Sequence, residues 1–153
     1  MIKKKFLFLI FIIFLNSCGY TPMYSKNYKK NFLIENIEFS GDRELNNFID
    51  EELLIYYENK ESSRKFTVKI NSEYNKDILS KDITGKIENY LIKILITFNI
   101  KSSDEERKLT VNENFTMKNI EILNEQKFYE QQIKKNLSYS AVNKLILYLS
   151  KNQ

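Results

Sequence analysis

The sequence predicts an α+β domain, a two-layer sandwich with two amphipathic helices on one face of a mainly antiparallel four-stranded sheet, in the order β-α-β-β-β-α. Three observations predict it. Between Lys65 and Lys118 apolar residues recur at every second position in three successive stretches, the pattern of strands with one buried and one solvated face. On both sides of that block the spacing changes to i, i+3, i+4, the rhythm of a helix with one apolar stripe. Residues 18–153 are enough for one domain with its own core and too few for two. Elements that are apolar on one side bury those sides most economically against each other.

A first strand is expected from about Phe32 to Phe39, with Ile34, Ile37 and Phe39 running up to a Ser40-Gly41-Asp42 turn. Asp42 is a good N-cap, because its short carboxylate can accept from the free N–H groups of a first helical turn. From Glu44 to about Asn59 the apolar residues Leu45, Phe48, Ile49, Leu53, Tyr56 and Tyr57 then mark one helix face. After the polar stretch 59–63 the period drops to two. Phe66, Val68, Ile70 and Tyr74 alternate with Lys65, Thr67, Lys69, Asn71 and Glu73. A turn near Asp82, Ile83, Thr84 and Gly85 leads into the most apolar strand, predicted to be central, with Tyr90, Ile92, Ile94, Ile96, Phe98 and Ile100 on one face. A charged turn at 102–106 follows, and then Leu109, Val111, Phe115 and Met117 alternate with polar neighbours. After Ile122 the pattern is helical again. Phe128, Ile133, Leu137, Ala141, Leu145 and Tyr148 are expected on one stripe, and the absence of Pro and Gly allows some twenty uninterrupted residues.

Ahead of this domain, Lys3, Lys4 and Lys5 precede an unbroken apolar run from Phe6 to Leu15, followed by Asn16, Ser17 and Cys18. A basic start, a short apolar middle and a small residue before the cut form a secretory signal, assigned to residues 1–17. The run makes roughly 15 Å of helix where a bilayer core needs about 30 Å, so it is too short to remain as a span. Cys18 is the chain's one cysteine and stands where a bacterial lipobox puts its acceptor, with Leu15 three before it and Ser17 one before it. Cleavage between Ser17 and Cys18 and acylation of the sulfur would leave several chains on the mature N-terminus; two or more acyl chains hold a protein stably on its membrane. The other reading is an ordinary signal peptide with an incidental cysteine nearby. Residues 18–31 have neither helical nor strand period and suit an extended tether, leaving 32–153 as the domain. Tyr20, Tyr24 and Tyr28 could sit at headgroup depth or be plain tether residues. Gly19 lacks the Asp that commonly retains lipoproteins in an inner membrane, which leaves the outer membrane as the address.

Composition narrows the function. The formal charge of +4 comes from 24 basic and 20 acidic side chains, and three of the former are Lys3, Lys4 and Lys5 in the signal. The mature chain is near neutral, which removes the argument for nucleic acid as a partner. A lone cysteine taken by lipid leaves no disulfide, so packing must hold the domain. No histidine is present, no spacing resembles a phosphate loop, a nucleophile elbow or a thiolate metal site, and the acidic pairs Asp50 with Glu52 and Asp104 to Glu106 read as solvated groups. The expectation is a protein that is not an enzyme, with no metal and no cofactor beyond the covalent lipid on Cys18. Strand alternation gathers Lys65, Lys69, Lys93, Lys101, Lys108 and Lys118 among Thr and Asn on the sheet's second face. That face could bind phosphate groups as point charges, or be a solvated surface in a Lys-rich chain.

The run Cys18, Gly19, Tyr20, Thr21, Pro22, Met23, Tyr24, followed by strand, helix, three strands and helix, resembles the lipopolysaccharide-assembly lipoprotein family LptE, in its alphaproteobacterial branch. The resemblance implies a two-layer domain that plugs an LptD-like outer-membrane β-barrel, assists its assembly and contacts lipopolysaccharide on its way to the cell surface. By motif, Cys18 alone carries over as a functional residue. The alternative expectation is a free outer-membrane lipoprotein, acting as a lipid-binding module or as another envelope-assembly factor.

Overall fold

The computed structural model describes residues 32–57, 62, 64–103 and 105–151; the signal peptide, Ser17, Cys18 and the 18–31 tether with its tyrosines lie outside them. Strand β1 (Leu33–Gly41) leads into helix α1 (Arg43–Leu53) and a 3-10 turn (Leu54–Tyr56). Strands β2 (Lys65–Lys81), β3 (Ile87–Lys101) and β4 (Glu106–Lys118) follow, and helix α2 (Leu123–Lys151) closes the chain. The sheet order is β1-β2-β3-β4. β2, β3 and β4 form an antiparallel meander, whereas β1 runs parallel to β2 because α1 carries the chain back before β2 begins. The predicted α+β sandwich is therefore the observed one, mainly antiparallel, with both helices on one face.

Alternation holds where it was predicted. Val68 and Ile70 of β2, Ile92 to Ile100 of β3 on even positions, and Val111 and Met117 of β4 are buried against Leu45, Ile49 and Leu53 of α1 and Ile133, Ala141, Val142, Leu145, Ile146 and Leu149 of α2. Asp42 caps α1 as expected: its carboxylate accepts from the Leu45 N–H at 2.8 Å. The β1–α1 corner is closed by polar groups. Ser72, buried in β2, donates to Asn46 Oδ1 at 2.7 Å, and Asn46 donates to the Ser40 carbonyl at 3.1 Å. Gly41 has φ +90, and a Cβ there would stand 1.9 Å from the Ser72 carbonyl oxygen. Only glycine fits so close a backbone crossing.

Three expectations are corrected. α1 ends at Leu53, not near Asn59, and the tighter turn that follows swings Tyr56 flat onto Phe32, ring centroids 5.4 Å apart. β2 continues past Tyr74 to Lys81, and β3 starts at Ile87, before Tyr90. The continuation was hidden because the next inward position holds Lys76, whose ammonium lies 4.3 Å from the centre of the Tyr90 ring. Phe128 is 64% exposed and off the α2 stripe. Three or four residues before Ile133 the helix presents Glu130 and Tyr129, and Phe128 falls one position too early to face the sheet.

Candidate functional surfaces

All six lysines named from the sequence fall on the sheet face that carries no helix. Register places Lys69 across from Asn99, Lys101 across from Thr67 and Glu106, Lys93 across from Asn75 and Asn114, Lys108 across from Asn99 and Lys118 across from Asn89. All six, Lys65 included, are exposed. They are not equally available. Lys65 pairs with Glu35 at 2.6 Å, Lys69 with Glu38 at 2.9 Å and Lys93 with Asp77 at 3.0 Å. Lys101, Lys108 and Lys118 have no ion pair within 4 Å among the described residues. The face is thus half compensated by its own carboxylates, with Thr67, Thr97, Thr110, Thr116 and a row of asparagines between the charges.

Sequence reasoning missed a second cluster, on the covered face. Tyr74 of β2 donates to Glu130 Oε1 at 2.5 Å, Lys76 donates to Glu130 Oε2 at 2.6 Å, and Lys134 bridges α2 to α1 through Glu44 at 2.6 Å. The Lys134 ammonium also lies 3.9 Å from the centre of the Tyr74 ring. Burial pushes the Glu130 carboxyl up, but the hydrogen bonds from Lys76 and Tyr74 outweigh it and hold the group below the usual carboxylate range. Burial, and then the Glu130 carboxylate, push the Tyr74 phenol well above its usual range. These contacts keep Glu130 ionised and Tyr74 protonated, and they join β2, α1 and α2. The available sequence signal was Lys76 at an inward parity opposite an Asn-Glu-Gln-rich start of α2.

The two ends of the sheet differ. At the end where β1 begins, Leu33 N–H donates to the Arg64 carbonyl at 2.8 Å, and the Arg64 guanidinium donates to the Leu149 carbonyl at 2.7 Å in the last turn of α2. A cation among those carbonyls suits the negative end of the helix. A cleft of about 230 Å³ opens there, lined by Arg64, Phe66, Ile100, Arg107, Tyr148 and Leu149 among others. The far end carries the β2–β3 turn, where Asp82 accepts from Thr84 and Lys86 N–H groups at 2.8 and 2.9 Å. Around it Ile78, Leu79, Ile83, Ile122, Leu123 and Phe128 are about half exposed or more. Among the described residues no group of His, Cys, Asp and Glu could hold a metal ion, and no helix is long and apolar enough to cross a membrane.

The fold has known counterparts. The chain superimposes on the crystal structure of rare lipoprotein B from Shewanella oneidensis with a TM-score of 0.56, covering 75% of this chain and 93% of that one at 12% identity. The solution structure of an uncharacterized lipoprotein B from Nitrosomonas europaea gives 0.53, with 79% and 88% covered at 9% identity. The chain shares its fold with these lipoproteins. No protein-family model matches the sequence, and no curated protein matches it.

Proposed function

We propose that this chain is a non-enzymatic lipoprotein of the outer membrane, anchored through acylated Cys18, that serves lipopolysaccharide transport as the partner and plug of an LptD-like β-barrel, assisting barrel assembly and delivery of lipopolysaccharide to the surface. The observation that carries the reading is the coincidence of two independent features. A lipobox ends at Cys18, and the domain behind it has the fold of two proteins described as lipoproteins. The exposed apolar side chains Ile78, Leu79, Ile83, Ile122, Leu123 and Phe128 support a protein partner, since apolar surface left open to water is covered at contact sites. The lysine face supports contact with phosphorylated lipid, because an ammonium recognises phosphate as a point charge. A free lipid carrier is less well supported: the cleft at Arg64 is smaller than the ~300 to 1,000 Å³ of small-molecule sites.

Extraction of the full chain from native membranes in mild detergent tests the reading. A large barrel protein should come with it, and its intact mass should exceed that of residues 18–153 by the acyl groups. Recovery alone, or an N-terminus elsewhere than Cys18, would overturn it. For the lysine face, Lys93→Glu with Lys101→Glu should weaken lipopolysaccharide binding while leaving the melting temperature nearly unchanged. Unaltered binding returns that face to solvent.

A further inference from the structure

The two edges of the sheet are unlike. β1 is paired over eight positions with a register shift between Ile34 and Asn36, a bulge of the kind that blunts an edge. β4 pairs all thirteen of its residues with β3 without a shift and contains neither Pro nor Gly. Among the described residues its other side faces no strand, so a straight row of N–H and C=O groups is left as a template for a further strand.

We infer that this edge pairs with a second copy of itself, two β4 strands running antiparallel about a two-fold axis at Asn112 to make one continuous eight-stranded sheet. Full overlap of Glu106–Lys118 with itself sets the centre, and the side chains of the open face agree with that register. On the open face Glu106 meets the other copy's Lys118, Lys108 meets Thr116, Thr110 meets Asn114, and Asn112 meets its own equivalent. Lys118 has no ion pair among the described residues, and this register supplies one on each side of the axis. On the covered face Leu109 meets Phe115, a ring left 39% exposed in the single chain. Sliding the copies by two residues one way would instead set Lys108 against Lys118, a like-charge pair that directly opposed positions penalise. The lysines that protect this edge against random partners thus select one register. The pairing does not depend on the transport role proposed above.

Disulfide trapping in the full chain, produced in excess and purified in mild detergent, tests it. Asn112→Cys places two sulfurs across the axis within the ~4.4 to 6.8 Å Cα range of a disulfide. Thr116→Cys, also exposed on the same strand, places them roughly 27 Å apart at about 3.4 Å per residue. The expected result is a linked dimer from the first variant and none from the second. Adding Lys118→Glu to Asn112→Cys should lower the dimer yield roughly tenfold, and adding Glu106→Lys as well should restore it. The inference is overturned if Asn112→Cys stays monomeric while retaining the parent melting temperature, if both cysteine variants link equally, or if charge reversal has no effect. If Asn112→Cys itself melts early, sedimentation of the Lys118→Glu and Glu106→Lys single and double variants decides instead: the double must associate more tightly than either single.

Discussion

Toward the end where β1 begins, the layer between sheet and helices is hydrocarbon: Val68, Ile70, Ile96, Phe98 and Ile100 meet Leu45, Ile49, Leu53, Val142, Leu145 and Leu149, with Phe32 stacked at the rim. Toward the β2–β3 turn the same two layers meet differently. There the buried apolar cluster shrinks to Ile92, Met117 and Ile133, and the remaining space is held by Tyr74, Lys76, Glu130, Lys134 and Glu44. Burial of apolar area is non-directional and tolerates shape changes, whereas a charged network holds its parts only while every partner is present. One half of the domain is therefore fastened by area and the other by pairing, and the two should fail in different ways.

The sharpest way to break the comparison is Ile96→Asp. It puts an unpaired carboxylate at a position with no solvent exposure, at a cost of several kcal/mol against a total stability of about 5 to 15, so circular dichroism should show an unfolded chain. Next in size, Glu130→Ala should cost about 1 to 3 kcal/mol by leaving Lys76 and the Tyr74 hydroxyl without their acceptor. Hydrogen exchange should then rise in the turn-proximal parts of β2 and α2 while the apolar half stays protected. Uniform exchange across both halves would mean that they are not separable.

Acid should act more gently, through one carboxylate in each half. Glu130, and Glu113, which Lys144 at 2.7 Å and Ser140 at 2.8 Å hold low, both titrate below their ordinary value in the folded chain. Their contribution is complete above the unfolded value of about 4.3 and is lost as pH falls through the folded ones. Urea midpoints should therefore stay flat from neutrality to about pH 5 and decline below about pH 4, less steeply in Glu130→Ala. The smallest effect belongs to Ser138, on α2 between the halves, whose buried hydroxyl has no hydrogen-bond partner among the described residues. Ser138→Ala removes an unsatisfied group at little change in volume, and the melting temperature should rise slightly.

The apolar half was readable because its code is periodic: every second residue in Phe66–Ile70 and Tyr90–Ile100, every third or fourth in Leu45–Leu53 and Ile133–Leu149. The charged half was not. Lys76 and Glu130 look like solvated residues until register and the turn of α2 bring them within 2.6 Å, 54 positions apart in sequence. The same blindness put Phe128 on the wrong face and stopped β2 at Tyr74. For the lysine face, alternation was enough to place six cations on one side, but not to show that Glu35, Glu38 and Asp77 neutralise half of them.

By itself the sequence determined the elements, their order and which side of each is apolar, because period, caps and turns act over a few residues. Tertiary structure decided which charges pair across the layers, why position 41 must be glycine and which sheet edge is left straight. Those outcomes depend on distances between residues far apart in the chain, and such distances exist only once the two layers have closed on each other.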